Sequence, residues 1–324
     1  MSPSRKGNQT VSEEQNTLFS IPSLMVDERS RELVELMASI SERDPSEEER
    51  GYIARMLVQA CFPYRKIQSN EFSRIANNFR LTIMAPSEVG LPFGVMPRLI
   101  FMWMTREALF KKSRSLELGR SLTEFMMQLN LPLTGGKNGT ITRLRDQMKR
   151  MASSTLSVTY DNGRSWSLRQ VGMIEEAVFW WEEKGKTDKT GQQGLWSSTI
   201  LLSEAFFREI TNRPVPFDMR IVQLIRQQTQ SPLALDLYLW LNYRLKYLSR
   251  PTEIPWAKLQ LQFGANYADT RQGRHEFKRE FLKQMEIVRS AFRKAAPSLQ
   301  ELTDGNGIRL LPGQSSVPSV PSSS

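Results

Sequence analysis

The sequence predicts a helix-rich α+β fold in which one arrangement of helices and strands occurs twice. Most segments repeat apolar residues at the helical period; Ile53, Met56, Leu57 and Ala60, for example, share one helix face. Shorter segments alternate apolar and polar residues around turn sequences, as strands do. The order of these elements in the first half returns in the second half. A chain of 324 residues is long enough for two hydrophobic cores.

The composition of the chain predicts two domains joined by a linker, with a polar segment at each terminus. The first residues are polar and the last are rich in serine and proline, so both ends are predicted to be disordered. The segment "TNRPVPF" contains two prolines and predicts a linker. The predicted divisions are a disordered arm at 1–20, an N-terminal domain at 21–210 with its core at about 86–204, a linker at 211–217, a C-terminal domain at 218–311 and a disordered tail at 312–324.

The first half predicts, in order, a helix, a short strand, two helices and a β-hairpin. Pro97 fits the first turn of a very apolar helix. Ser121 followed by Glu124 predicts a capping box, and Asn162-Gly163 is a strong hairpin sequence. Helices are predicted at 26–40, 47–62, 97–110, 121–131 and 140–152, with strands at 115–119, on both sides of 162–163, and within 177–183 and 194–203.

The second half repeats this order after a bridging helix. Ser231-Pro232 predicts the start of a long apolar helix. Helices are predicted at 218–228, 233–248, 255–263 and 271–295, with strands at 251–254 and on both sides of 305–307. A helix, a strand, two helices and a hairpin form a winged helix, which is a helix-turn-helix followed by a β wing. The predicted fold is therefore two tandem winged-helix domains.

Charge and residue counts narrow the possible functions. The chain has 44 Lys+Arg against 34 Asp+Glu, a net charge of +10, which predicts a polyanionic partner such as nucleic acid. The sequence has no run of about 18 apolar residues and no signal-peptide core, so a cytoplasmic protein without a membrane partner is predicted. Cys61 and His275 are the sole cysteine and histidine. We therefore predict no disulfide, no metal site and no cofactor.

Two basic helices are the predicted DNA-contacting elements. The first follows the glycine turn in "LTGGKNGTITRLRDQMKR", and the second begins at Arg271. In each, an apolar stripe lies opposite a basic face that fits the major groove, and the N–H groups near Thr140 are suited to a phosphate oxygen. The predicted DNA-binding residues are Lys137, Asn138, Thr140, Thr142, Arg143, Asp146, Gln147, Lys149 and Arg150 in the first helix region, and Arg271, Gln272, His275, Lys278, Arg279 and Lys283 in the second.

Other interpretations of these features remain open. A single basic helix face is most often only solvated. A phosphate-binding Walker A loop requires Gly-Lys-Ser/Thr after a buried strand, whereas Lys137 precedes Gly139 and the preceding segment is helical. His275 lies beside Arg279 on the basic face, where a phosphate or base contact fits better than general-base catalysis. The glycine turn is therefore interpreted as the approach to a DNA-facing helix.

Residues 91–154 resemble a known family. The segments "LPFGVMPRLIFMWMTREAL", "SLTEFMMQL" and "GGKNGTITRLRDQMKRMASS" are similar to the core of plasmid-encoded RepA-type replication initiators. "RHEFKREFLKQM" is similar to the start of the C-terminal recognition helix in the paired winged-helix Rep initiators. The resemblance implies a protein that binds repeated sites (iterons) in double-stranded origin DNA, promotes local opening, and recruits a host replication initiator and the replicative helicase.

The resemblance also implies a non-enzymatic, bacterial and plasmid-associated protein. In related initiators a homodimer forms through the first domain, which makes the apolar strands between about 171 and 202 the candidate dimer surface. One alternative is a winged-helix transcription regulator or autorepressor without an initiation role. Another is a rolling-circle nicking initiator, whose paired histidines are not available in a chain with one histidine.

Overall fold

The computed structural model describes residues 28–60, 62–119, 121–179 and 198–318. Within these ranges it confirms the helix-rich α+β class. The helices are α1 Glu28–Glu42, α2 Arg55–Gln59, α3 Val95–Lys111, α4 Leu122–Gln128, α5 Thr140–Ala152, α6 Glu204–Thr211, α7 Met219–Gln228, α8 Pro232–Tyr247, α9 Trp256–Phe263 and α10 Arg271–Ala291. The strands are β1 Arg50–Ile53, β2 Glu71–Ala76, β3 Phe79–Met84, β4 Ser115–Glu117, β5 Thr155–Asp161, β6 Trp166–Gly172, β7 Ile174–Val178, β8 Thr199–Leu202, β9 Val215–Asp218, β10 Thr252–Pro255, β11 Leu299–Glu301 and β12 Gly307–Leu310.

The first unit, from α3 to β8, has the predicted order of helices. The apolar helix α3 is buried along most of its length, and α5 packs against it. Ser121 caps α4 as predicted, because its hydroxyl oxygen accepts a hydrogen bond from the Glu124 N–H at 3.1 Å. Strands β4, β8 and β7 form an antiparallel sheet in that order.

The predicted hairpin around Asn162-Gly163 is confirmed as β5 and β6, but its position as the wing of the first unit is wrong. It belongs to a four-stranded sheet of order β2-β3-β5-β6, and β4 pairs with β8 instead. The β2–β3 hairpin was not predicted. Asn77, at φ 55°, provides its tight turn, since asparagine tolerates the left-handed region better than most residues.

The second unit, from α8 to β12, repeats the arrangement. Helix α8 begins at Pro232 and is buried along most of its length. The chain then forms β10, α9, α10 and a 3-10 helix, Arg293–Ser298, before its last two strands. The sheet order is β10-β12-β11, so the first strand pairs with the third. The first unit has the same pairing of its first, third and second strands (β4-β8-β7).

Two predictions for segments outside the two units are wrong. Residues 47–62 were predicted as one helix but form β1 and the short α2, and the predicted linker at 211–217 contains most of β9, which pairs with β1. A Cβ atom on Gly51 would lie 2.3 Å from the Phe217 ring, so this close pairing requires glycine. Val215 and Phe217 are buried, which makes β9 part of the core rather than an open connection.

A buried ion pair joins the two units. The Arg98 guanidinium on α3 donates two hydrogen bonds to the Asp236 carboxylate on α8, at 2.7 and 2.8 Å. It also donates to the carbonyl oxygens of Phe62 and Gly94. Arg98 is fully buried and Asp236 is 6% exposed, so α3 and α8 are held in one relative position by charges that water does not reach.

The first part of the predicted disordered tail is ordered, so that prediction is wrong for residues 312–318. Ser316 and Val317 are buried. The Ser316 hydroxyl donates to Asn242 Oδ1 at 2.8 Å, lies 2.9 Å from the Tyr238 hydroxyl, and accepts from the Asp218 N–H. These partners lie far away in the sequence, so the Ser/Pro composition gives no sign of them. The predicted disordered arm at 1–20 and the end of the tail lie outside the described residues.

Substituting Ser316 with alanine is expected to lower the free energy of unfolding by about 1–3 kcal/mol, because buried polar partners lose a hydrogen bond. Urea unfolding measures the change. Truncation after Pro318 keeps every Ser316 contact and serves as the matched control, with unfolding expected at the wild-type midpoint. A wild-type midpoint for Ser316→Ala as well would contradict this packing of the tail.

Candidate nucleic-acid interface

Helix α5 has the predicted two faces. Leu144, Met148 and Met151 are buried against the first unit. On the opposite side Arg143 and Lys149 are exposed. Within the described residues, their side chains form no hydrogen bond or ion pair, and the same holds for the exposed Lys137 and Asn138 in the glycine turn. This part of the predicted basic face is therefore accessible to a polyanion.

The glycine turn is closed by Thr134, which occupies the groups predicted to bind a phosphate. Thr134 Oγ1 accepts a hydrogen bond from the Thr140 N–H at 2.9 Å, and its carbonyl oxygen accepts from the Ile141 N–H at 3.2 Å. The buried Thr140 hydroxyl contacts Thr134 Oγ1 at 2.8 Å. The prediction of a phosphate at Thr140 is therefore wrong, because the first donors of α5 already have partners. Thr142 is exposed, but its hydroxyl donates to the Gly136 carbonyl oxygen.

Gly139→Ala is expected to disrupt the turn. A Cβ atom at this position would lie 2.4 Å from the carbonyl oxygens of Thr134 and Gly135, and backbone atoms must shift to relieve the overlap. We expect a loss of roughly 1–3 kcal/mol in the free energy of unfolding and weaker DNA binding. Gly135→Ala is the matched control, because its Cβ would enter open space. Thermal unfolding of both variants tests this; equal melting temperatures would contradict the turn geometry.

Gln147 and Arg150 were predicted to contact DNA, but the structure contradicts this. Arg150 Nε donates to Asp146 Oδ2 at 2.7 Å, and its guanidinium carbon lies 5.4 Å from the centre of the Phe93 ring. Gln147 Oε1 accepts from the Phe93 N–H at 2.8 Å. Gln147 and Arg150 are buried, and the half-buried Asp146 is their partner. The loop at 91–93 covers this margin of α5, which a helical projection of α5 alone does not reveal.

Helix α10 has a more extensive exposed basic face. Phe277, Phe281 and Met285 form the buried stripe, as predicted. Gln272 is exposed and donates to Glu276 Oε1. Four other predicted residues are exposed and form no hydrogen bond or ion pair with any residue the structure describes: Arg271, His275, Arg279 and Lys283.

Lys278 does not belong to this face. Its ammonium group forms an ion pair with Glu301, donates to the Gly305 carbonyl oxygen and lies 5.4 Å from the centre of the Trp256 ring. It therefore ties α10 to the last strands of the second unit, and these contacts already occupy the ammonium group that was predicted to contact DNA. Two exposed cations outside the predicted helices, Arg65 and Lys66, were missed, because helical periodicity identifies residues only on helices.

Neither a metal centre nor a membrane span is found in the ranges 28–60, 62–119, 121–179 and 198–318. They contain no group of three or more His, Cys, Asp or Glu side chains that could hold a metal ion. No helix in the same ranges is long and apolar enough to cross a membrane.

Exposed basic faces on two helices of a chain with net charge +10 are features of the class of DNA-binding proteins. The family model described as plasmid-encoded RepA protein matches residues 91–256, about half of the chain. The chain therefore belongs to the plasmid-encoded RepA family, and the resemblance seen in its sequence is confirmed. Membership of this family makes it a plasmid replication initiator, a protein that binds DNA at a replication origin.

Two solved structures have a similar backbone. A selenomethionine derivative of domains 2 and 3 of RctB superposes with a TM-score of 0.49 and 11% sequence identity, covering 82% of this chain and 97% of that chain. Another structure of RctB domains 2-3 gives a TM-score of 0.44 and 9% identity, covering 78% of this chain and 94% of that chain. No curated protein matches the sequence.

Proposed function

We propose that the protein binds iterons in the origin of its plasmid through two winged-helix domains, with α5 and α10 as the recognition helices. The order of elements supports the winged-helix assignment, because each unit has a helix, a strand and two helices, and its first strand forms a three-stranded sheet with two later strands. In the first unit the β5–β6 hairpin, which belongs to another sheet, lies in the chain between α5 and these two strands. The strand pairing supports it too, since the first strand pairs with the third in both sheets. Because β4 pairs with β8, we assign the wing of the first domain to β7 and β8 rather than to β5 and β6.

The main support for this proposal is that α5 and α10 each have an exposed basic face. Each face lies on the third helix of its unit. A helix of this kind enters the major groove, where Arg reads guanine and Lys and Arg bind phosphates. The residues assigned to DNA are now Lys137, Asn138, Thr142, Arg143 and Lys149 in the first domain and Arg271, Gln272, His275, Arg279 and Lys283 in the second.

Family membership supports the remaining activities in the proposal. The protein would promote opening of DNA beside the iterons and recruit a host replication initiator and the replicative helicase, acting by binding and not as an enzyme. It would work on plasmid DNA in the bacterial cytoplasm. A homodimer would form through the first domain, at the strands between about 171 and 202; residues 180–197 of this surface lie outside the described residues.

A mobility-shift assay on origin DNA tests the proposed binding mode. We expect high affinity for an array of direct repeats, lower affinity for a shuffled sequence, and a steep decrease of affinity with salt, about 0.9 in log K per log salt for each phosphate contact. A flat response between low and moderate salt would contradict docking on phosphates. A preference for a lone palindrome over direct repeats would favour the alternative, a winged-helix transcription regulator.

A further inference from the structure

A loop from the first half of the chain lies beside α10. This junction loop, residues 62–70, connects the short helix α2 to strand β2. Its first residues, Phe62 and Pro63, are buried, whereas Arg65 and Lys66 are exposed. Neither Arg65 nor Lys66 forms a hydrogen bond or an ion pair with any residue that the structure describes. The start of the loop is therefore buried, and the two following cations are exposed and have no partner among the described residues.

The junction loop is held firmly on both sides. The buried Arg98 donates to the Phe62 carbonyl oxygen at 2.8 Å, and the Gly94 N–H donates to the Pro63 carbonyl oxygen at 3.0 Å. The Arg74 guanidinium carbon lies 4.4 Å from the centre of the Tyr64 ring, and Arg74 also donates to a carbonyl oxygen at the end of α9. The loop is thus fastened to α3 and to the second unit, which fixes the position of the following Arg65 backbone.

The loop and the start of α10 form the two walls of one groove of about 440 Å³. Tyr64 and Arg65 line one wall, and Gln272 and Glu276 line the other. Tyr267 also borders this groove. Burial raises the pKa of its hydroxyl, Glu280 and Glu276 raise it further, and Arg65 and Arg279 lower it. Arg65, from the first half of the chain, and Arg279, from the second half, therefore both lower the pKa of the Tyr267 hydroxyl.

We propose that the junction loop is a third DNA-contacting element, in which Arg65 and Lys66 bind the phosphate backbone of the strand that runs beside α10. This proposal rests on the proposed function, because it requires α10 to face DNA. Glu276 and Glu280 line the groove itself, so an anion is disfavoured in its depth. A phosphate is favoured outside this acidic part, next to the exposed Arg65 and Lys66.

DNA is the occupant that the charges favour. Arg65 lines the groove, and both Arg65 and Arg279 lie near enough to Tyr267 to affect its hydroxyl. Lys66 follows Arg65, and Arg271 lies between the groove residues Thr270 and Gln272, so several exposed cations come from the segments that border the groove. Several neighbouring positive charges suit a polyanion better than a single ion. A backbone contact of this kind positions the protein and carries no sequence information. Because the loop is fixed to both units, a phosphate contact by the loop would also set the angle at which α10 enters the major groove of the DNA.

The double variant Arg65→Ala/Lys66→Ala tests the proposal in a mobility-shift assay over a range of salt concentrations. We expect affinity to fall by a similar factor for iteron DNA and for shuffled DNA, with the slope of log K against log salt shallower by about 2. The ratio of the two affinities should stay at the wild-type value. By contrast, Arg279→Ala should lower that ratio, because we expect Arg279, on the exposed face of the recognition helix, to contact a base in the major groove.

The matched control is Arg80→Ala/Arg164→Ala, which removes two exposed arginines, one on β3 and one in the turn between β5 and β6, and so lowers the net charge equally. It should keep the wild-type slope, and Arg65→Lys/Lys66→Arg should keep it too. An equal loss in the control, or a wild-type slope for Arg65→Ala/Lys66→Ala, would overturn the proposal while leaving the proposed function intact. If the wild-type protein binds no origin DNA, the proposed function itself fails.

Discussion

Substituting both Arg143 and Arg279 with alanine is expected to weaken specific binding to the origin more than any other substitution considered. Both side chains are exposed on the basic faces of α5 and α10 and have no internal partner among the described residues. Loss of one base-reading arginine costs about 1–3 kcal/mol. The two residues lie in different units, so their effects should add, giving roughly 2–6 kcal/mol, or on the order of 30- to 20,000-fold in affinity.

Two further variants distinguish the loss of a DNA contact from a loss of protein stability. Arg208→Ala removes an arginine that is 72% exposed on α6, outside both faces, and should leave origin affinity at the wild-type value. Arg150→Ala should weaken binding only as far as it destabilises the protein, because Arg150 is buried against Phe93. Mobility shift and thermal unfolding on the same samples measure both quantities. Wild-type affinity in the Arg143→Ala/Arg279→Ala variant would refute the assignment of these faces to DNA.

Asp236→Ala is expected to cause the largest loss of stability among the substitutions considered. It leaves the Arg98 guanidinium, which is fully buried, without its carboxylate. Removing one partner of a buried ion pair typically costs about 3–5 kcal/mol, because an uncompensated charge stays in the protein interior. The pair joins α3 to α8, so the variant should also weaken the connection between the two units. Urea unfolding monitored by circular dichroism measures the loss.

Two control variants test whether the loss of stability in Asp236→Ala comes from the unpaired charge on Arg98. Arg98→Met/Asp236→Leu removes both charges and should lose less stability than Asp236→Ala, since no unpaired charge remains. Arg309→Ala breaks a pair with Glu253 whose side chains are about half exposed, and should cost less than about 1 kcal/mol. A loss of that small size for Asp236→Ala would show that water reaches the Arg98–Asp236 pair.

The sequence was sufficient to predict the elements that carry the candidate interface. Helical periodicity correctly separates the buried residues Leu144 and Phe277 from the exposed Arg143 and Arg279. The glycine turn before α5 and the cap at Ser121 also follow from local rules, because backbone conformation and capping depend on adjacent residues. Local sequence therefore predicts which helices exist and which face of each is apolar.

The rest depends on contacts between distant parts of the chain. Gln147 and Arg150 lie at the margin of the basic face, and the distant loop at 91–93 decides that they are buried. Strand β1 was predicted as helix because its residues also fit a helical pattern, and only its pairing with β9 favours the extended form. Arg98 and Asp236 are 138 residues apart, and no local pattern predicts their contact.

Footprinting on the origin of the parent plasmid tests the central claim most directly. We expect protection of each repeat in an array of direct repeats next to an AT-rich segment, with the protected positions on one face of the DNA. The Arg143→Ala/Arg279→Ala variant should lose this pattern. Protection of a single palindrome, or uniform weak protection without regard to the repeats, would contradict iteron binding by these two helices.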